Sequence, residues 1–66
     1  MYELRDGKRF VMHDPDTGEF LTLQEGATYN GKPARPFRTD DVYQITQIWN
    51  MFGGSDGDFE MKEVKG

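Results

Sequence analysis

A small α+β fold is what this chain predicts: an antiparallel sheet of three or four strands, in the order β-β-β-α-β, with one helix on one face. Three observations carry the expectation. Short segments of alternating apolar residues near the start are separated by Asp-Gly and Asp-Pro turn signals. One punctuated amphipathic stretch runs from Pro36 to Gly54. A last alternating segment follows a glycine-rich turn.

Tyr2 to Arg5 forms a short strand with Tyr2 and Leu4 on one face. Asp6-Gly7 reads as a two-residue turn of the type I′ kind, in which both positions take positive φ. Lys8 to His13 is a stronger strand. Phe10 and Met12 point one way; Arg9, Val11 and His13 point the other. Asp14-Pro15-Asp16-Thr17-Gly18 is a longer turn. Pro15 sets φ for a type I turn, and Gly18 takes the left-handed position after it. Phe20 to Leu23 then returns as a hairpin partner. Gln24 to Pro36 has no usable periodicity and contains Gly26, Gly31, Pro33 and Pro36. It reads as a connecting loop, with a short extended piece at Ala34-Arg35-Pro36-Phe37.

The helix is predicted from Asp40 to Phe52, about 20 Å long. Thr39 is the expected N-cap, Asp40 and Asp41 suit the first turn, and Gly53 supplies the left-handed stop. Val42, Ile45, Ile48, Trp49 and Phe52 fall on one arc roughly 120° wide, the width of a core-facing helix stripe. Tyr43, Gln47 and Met51 lie on the opposite side, with Asn50 beside them. No lysine, arginine or glutamate occurs between Asp41 and Phe52. Neutral amides beside tyrosine and methionine suit an interface. Tyr43, Gln47, Asn50 and Met51 are therefore the candidate interface residues; an ordinary exposed face is the plain alternative. Gly53 to Asp58 is a turn, and Phe59 to Val64 a final strand with Phe59 and Met61 on one face.

Sixty-six residues make a single domain, 1–66, with room for one layer of core. There is no cysteine and only one histidine, so neither a disulfide nor a closed zinc site can brace it. Homo-oligomerisation is the expected support. Nine aromatic residues exceed what a helix-on-sheet core readily hides, which points the same way. The net charge is −4. Gly31 to Thr39 is nevertheless a basic island carrying Lys32, Arg35 and Arg38 and no acid. Overall acidity argues against nonspecific nucleic-acid binding. No secretory signal and no apolar run near the roughly 20 residues of a membrane span occur. A cytoplasmic location without a membrane partner is expected.

The residues argue against an enzyme. The only serine, Ser55, lies in the glycine-rich turn, and His13 has no nucleophile beside it in sequence. The carboxylate pairs Asp14/Asp16 and Asp56/Asp58 sit in turns, where aspartate usually bonds its own backbone. Asp14, Asp16 and Glu25 match positions 1, 3 and 12 of a calcium loop. The glycine falls one place early, and no helices flank the loop, so no metal and no cofactor is expected. The basic island is the most suggestive polar feature. Lys32, Arg35 and Arg38 could hold an anionic, nucleotide-like ligand, with Phe37 or Tyr29 stacking on its ring. Pairing of the arginines with Asp40, Asp41 or Glu25 is the competing reading.

A cysteine-free chain with a short hairpin, the segment Ala34-Arg35-Pro36-Phe37-Arg38-Thr39, one helix and a terminal strand resembles the accessory proteins of bacteriophages and prophages. Ala34, Phe37, Thr39 and the apolar helix carry the likeness; glycine and proline before the helix depart from it. The resemblance implies a phage-encoded protein acting in a bacterial host cytoplasm. Many such proteins block a host enzyme or defence system by binding alone. Three readings follow. The first is a non-enzymatic, homo-oligomeric binding protein that inhibits or adapts a host macromolecule through its helix face. The second is an oligomer that sequesters an anionic small molecule through the basic loop. The third is a structural or virion accessory subunit.

Overall fold

The computed structural model describes residues 1–65. Three strands come first: β1 (Tyr2–Asp6), β2 (Arg9–His13) and β3 (Phe20–Gln24). A second small pair follows, β4 (Thr28–Tyr29) and β5 (Lys32–Pro33). Helix α1 (Val42–Met51), a 3-10 turn at Gly54–Asp56 and β6 (Glu60–Glu63) complete the order. The main sheet is antiparallel in the order β3-β2-β1-β6, so the last strand lies beside the first. The class is α+β, as expected.

Two turns behave differently from the sequence reading. Asp6 pairs with Arg9, so the β1–β2 loop is Gly7-Lys8 rather than Asp6-Gly7. Gly7 has φ 58 while Lys8 keeps an ordinary negative φ, which makes this a turn with glycine first instead of type I′. The segment from Gln24 to Pro36 is not simply a loop. Asn30 at φ 52 and Gly31 at φ 77 form a two-residue reversal that pairs Tyr29 with Lys32 and Thr28 with Pro33. The Asp14–Gly18 turn follows expectation: the Gly18 amide bonds the Asp14 carbonyl at 2.8 Å, and Gly18 is left-handed at φ 77.

The β1–β2 hairpin is a fork. Its ladder holds only at Arg5–Phe10 and Asp6–Arg9, next to the loop. Toward the open end the two strands part, and residues 37–39 enter between them. The Phe37 amide bonds the Val11 carbonyl at 2.9 Å on one side. On the other, Tyr2 and Thr39 exchange amide-to-carbonyl bonds at 2.7 and 3.1 Å. Buried main-chain groups need partners, and this short extended piece supplies them to both prongs.

That arrangement explains where the helix starts. Thr39 is held extended against Tyr2, so it cannot also open the helix. The N-cap is Asp41, whose carboxylate accepts from the amides of Tyr43 at 3.0 Å and Gln44 at 3.3 Å. The Thr39 hydroxyl instead accepts from the Asp41 amide and donates to Gln44. The helix is thus shorter than the predicted Asp40–Phe52 span. Gly53, at φ 101, ends it as expected. Val42, expected in the core, is 53% exposed because it falls in the first turn.

Ile45 and Ile48 press on Leu4, Val11 and Phe59, all buried. Tyr2, Phe20, Phe37, Trp49 and Phe52 ring this centre. The Trp49 indole N–H donates to the Phe59 carbonyl at 2.7 Å, tying the helix to the run into β6. Strand β2 is buried on both faces: Val11 looks to the helix, while Phe10 and Met12 are buried on the other side. The Arg5 guanidinium lies over the Phe10 ring, 5.4 Å from its centre.

Candidate functional site

Two surfaces gather the residues that the sequence singled out. The first is the outward face of α1. A helix that lays Ile45 and Ile48 on a sheet turns residues 43, 47, 50 and 51 away from it. Tyr43 is 73% exposed and Met51 66% exposed, and Gln47 and Asn50 are exposed between them. Val42 extends this uncharged surface toward the start of the helix. No side chain on α1 carries a charge.

The second surface is built from the basic island, and the fold divides that island. Arg38 follows Phe37 in an extended segment, so their side chains leave on opposite faces of the sheet. Phe37 packs edge-to-face against His13 and Phe20, ring centres 5.9 and 5.3 Å away. Arg38 reaches Glu3 on the other face, with Nε and Nη2 both 3.1 Å from one carboxylate oxygen. Glu3 is almost wholly buried, and its second oxygen accepts from Arg5 at 2.5 Å. A buried carboxylate demands such partners. The shallow cleft around Glu3 is therefore self-neutralised: Arg5 also approaches Glu25 at 3.7 Å, and Lys62 pairs with Glu60 at 3.1 Å.

Tyr29, Lys32 and Arg35 meet elsewhere. With His13, Met12 and Pro33 they line an open cleft of about 720 Å³ where the β4–β5 hairpin faces the end of β2. Tyr29 is fixed there. Its hydroxyl donates to the carboxylate of Asp14, which is buried and also accepts from the Asp16 amide at 2.9 Å. The Tyr29 hydroxyl, then the Asp16 amide, hold the Asp14 carboxyl below its ordinary pKa. The same bond, viewed from the phenol, raises the pKa of Tyr29. Asp14 is thus ionised and Tyr29 protonated at neutral pH.

Sequence reasoning reached Tyr29, Lys32 and Arg35 but assigned His13 no part in this cleft, and read Asp14 as a turn residue and as the first position of a calcium-loop spacing. Asp14 does bond its own turn, as expected, but its second oxygen reaches a residue fifteen positions away. The calcium-loop spacing does not become a cluster: Asp14 is engaged by Tyr29, and Glu25 faces Arg5. Among the described residues no three metal-ligating side chains come together, and no helix is long and apolar enough to cross a membrane.

Comparison of the chain with protein-family models, curated proteins and solved structures found no match. The site must be read from its own chemistry.

Proposed function

We propose that this is a non-enzymatic binding protein whose α1 face docks on a second protein chain and so inhibits or adapts it. The observation that supports the reading is the exposure of Tyr43 and Met51 on a helix without a single charged side chain. Aromatic residues and methionine are enriched at interface centres, where charge is depleted. The partner proposed is a basic, nucleic-acid-handling protein. Acidic residues elsewhere on the chain, with its net charge of −4, would speed the encounter, while α1 supplies the contact. In its fullest form the proposal is a phage-type inhibitor in a host cell.

The test compares wild type with the double variant Tyr43→Ala, Met51→Ala. Both side chains are exposed, so the fold should persist and is checked by circular dichroism. Wild type should capture one defined basic protein from host extract, with capture weakened by salt, and the variant should lose it. Equal capture by both proteins, or capture of nothing, sinks the proposal. A drop in native mass on making the variant, without any captured protein, would replace the partner with a second copy of this chain.

A further inference from the structure

We infer that the cleft between β2 and the β4–β5 hairpin binds a nucleoside monophosphate, independently of the α1 face. Lys32 and Arg35 are the starting point. Arg5, Arg9, Arg38 and Lys62 all sit within ion-pair distance of a carboxylate, whereas Lys8, Lys32, Arg35 and Lys65 form no ion pair among the described residues. Of these four, Lys32 and Arg35 share one cleft. Their donors remain available for an anion from solution.

The cleft also has a planar wall. Tyr29 is one of its sides, and its ring cannot swing freely because the hydroxyl is tied to buried Asp14. His13 is a second flat group, held by Phe20 and Phe37 with ring centres 4.8 and 5.9 Å away. Met12 and Pro33 add apolar surface. Rigid aromatic and apolar walls suit a heterocyclic base, because stacking requires a fixed π-face and tolerates any base. A volume of about 720 Å³ falls within the range of small-molecule sites.

Charge narrows the ligand further. Asp16 stands on the same cleft, and Asp14 and Glu19 lie close to Tyr29, so positive charge is confined to Lys32 and Arg35 with no surplus in the balance for more than one anionic group. One phosphate matches that balance better than a chain of three. A nucleotide within a nucleic-acid strand shares the same chemistry, but the net charge of −4 opposes a polyanion. The free mononucleotide is therefore the assigned source.

The experiment titrates the intact protein with AMP, GMP, CMP and UMP by calorimetry. Adenosine, inorganic phosphate and a six-nucleotide RNA serve as separate arms. At least one monophosphate should bind, at least tenfold more tightly than adenosine or inorganic phosphate alone. Lys32→Ala with Arg35→Ala should weaken it at least about tenfold, the worth of one charge-assisted hydrogen bond. Both side chains are exposed, so the variant should fold. Amide chemical shifts provide a second readout: residues 13, 29, 32 and 35 should move on titration while residues 43–51 stay still. Binding by no monophosphate, binding unchanged in the double variant, or shifts confined to α1 would each overturn the inference. So would tighter binding of the RNA. None of these outcomes bears on protein capture by α1, so the two proposals fail separately.

Discussion

Arg38 grips Glu3 across thirty-five residues of sequence, both of its contacts 3.1 Å from one carboxylate oxygen. The bond locks the segment that enters the β1–β2 fork. Glu3 is buried, while Arg38 is 44% exposed and Arg5 22% exposed at the side chain. Solvent therefore screens the arginines but not the carboxylate. Glu3→Ala should cost about 1–3 kcal/mol, because two guanidinium groups lose their common acceptor. Arg38→Ala should cost less, about 0.5–1 kcal/mol, because Arg5 still satisfies Glu3. Urea unfolding followed by Trp49 fluorescence measures both, and the reverse ranking would contradict this account.

The Asp14–Tyr29 bond makes stability depend on pH at both ends. Asp14 releases its proton more readily when folded than at the ordinary 3.8. Its contribution is thus present above that pH and is lost as pH falls through the lower folded value. Tyr29 holds its proton beyond the ordinary 10.0. Its contribution is full below pH 10.0 and is lost as pH rises through the higher folded value. Tyr29→Phe should flatten both limbs of the stability–pH curve. A Tyr29→Phe curve that superimposes on wild type at each end would show that the bond carries no such linkage.

Two residues of the predicted apolar arc should answer differently to truncation. Ile45 is 1% exposed against Leu4 and Val11, so Ile45→Ala should cost about 2–5 kcal/mol. For a domain of this size that is enough to abolish a folded baseline near room temperature. Val42 is 53% exposed, and Val42→Ala should stay within about 0.5 kcal/mol. Thermal melts of the two variants provide the comparison; equal losses would place Val42 in the core after all.

Glycine matters at two positions for different reasons. A Cβ on Gly57 would lie 2.4 Å from the Phe52 carbonyl oxygen, backbone that cannot swing aside. A Cβ on Gly7 meets nothing within 4 Å, so Gly7→Ala bears only the left-handed backbone at φ 58, roughly 1–2 kcal/mol. Gly57→Ala should therefore be the more damaging, and should disturb the helix end near Phe52. Amide shifts that change around Gly7 but not around Phe52 and Gly57 would argue against the steric account.

Much of this fold is legible in the residues because local and tertiary preferences agree. The alternation in β2 and β3, the Asp14–Gly18 turn and the Gly53 stop all follow from patterns a few residues long. The failures occur where a distant contact decides. Thr39 is as good a cap as Asp41 in isolation, but its pairing with Tyr2 removes it from the helix. Asn30-Gly31 is a reversal signal that the loop reading passed over, because the prolines around it obscured two strands of only two residues each. The candidate cleft shows the same division. Lys32 and Arg35 are close in sequence and stay together. Arg38 is equally close, yet strand alternation sends it through the sheet to Glu3. His13 joins the cleft from a strand nineteen residues before Lys32, a juxtaposition no local pattern encodes.

The fork between β1 and β2 bears on how the chain reaches this state. A hairpin normally zips from its loop outward within microseconds. Here zipping must halt after two residue pairs, because Val11 and Tyr2 offer their main-chain groups to residues 37 and 39. The open prongs await chain that lies 26 residues beyond Val11 and 37 beyond Tyr2, across a costly loop closure. The first two strands are accordingly not a self-sufficient nucleus. Their ordering and that of the Phe37–Thr39 segment should appear as one kinetic event, slower than an isolated hairpin.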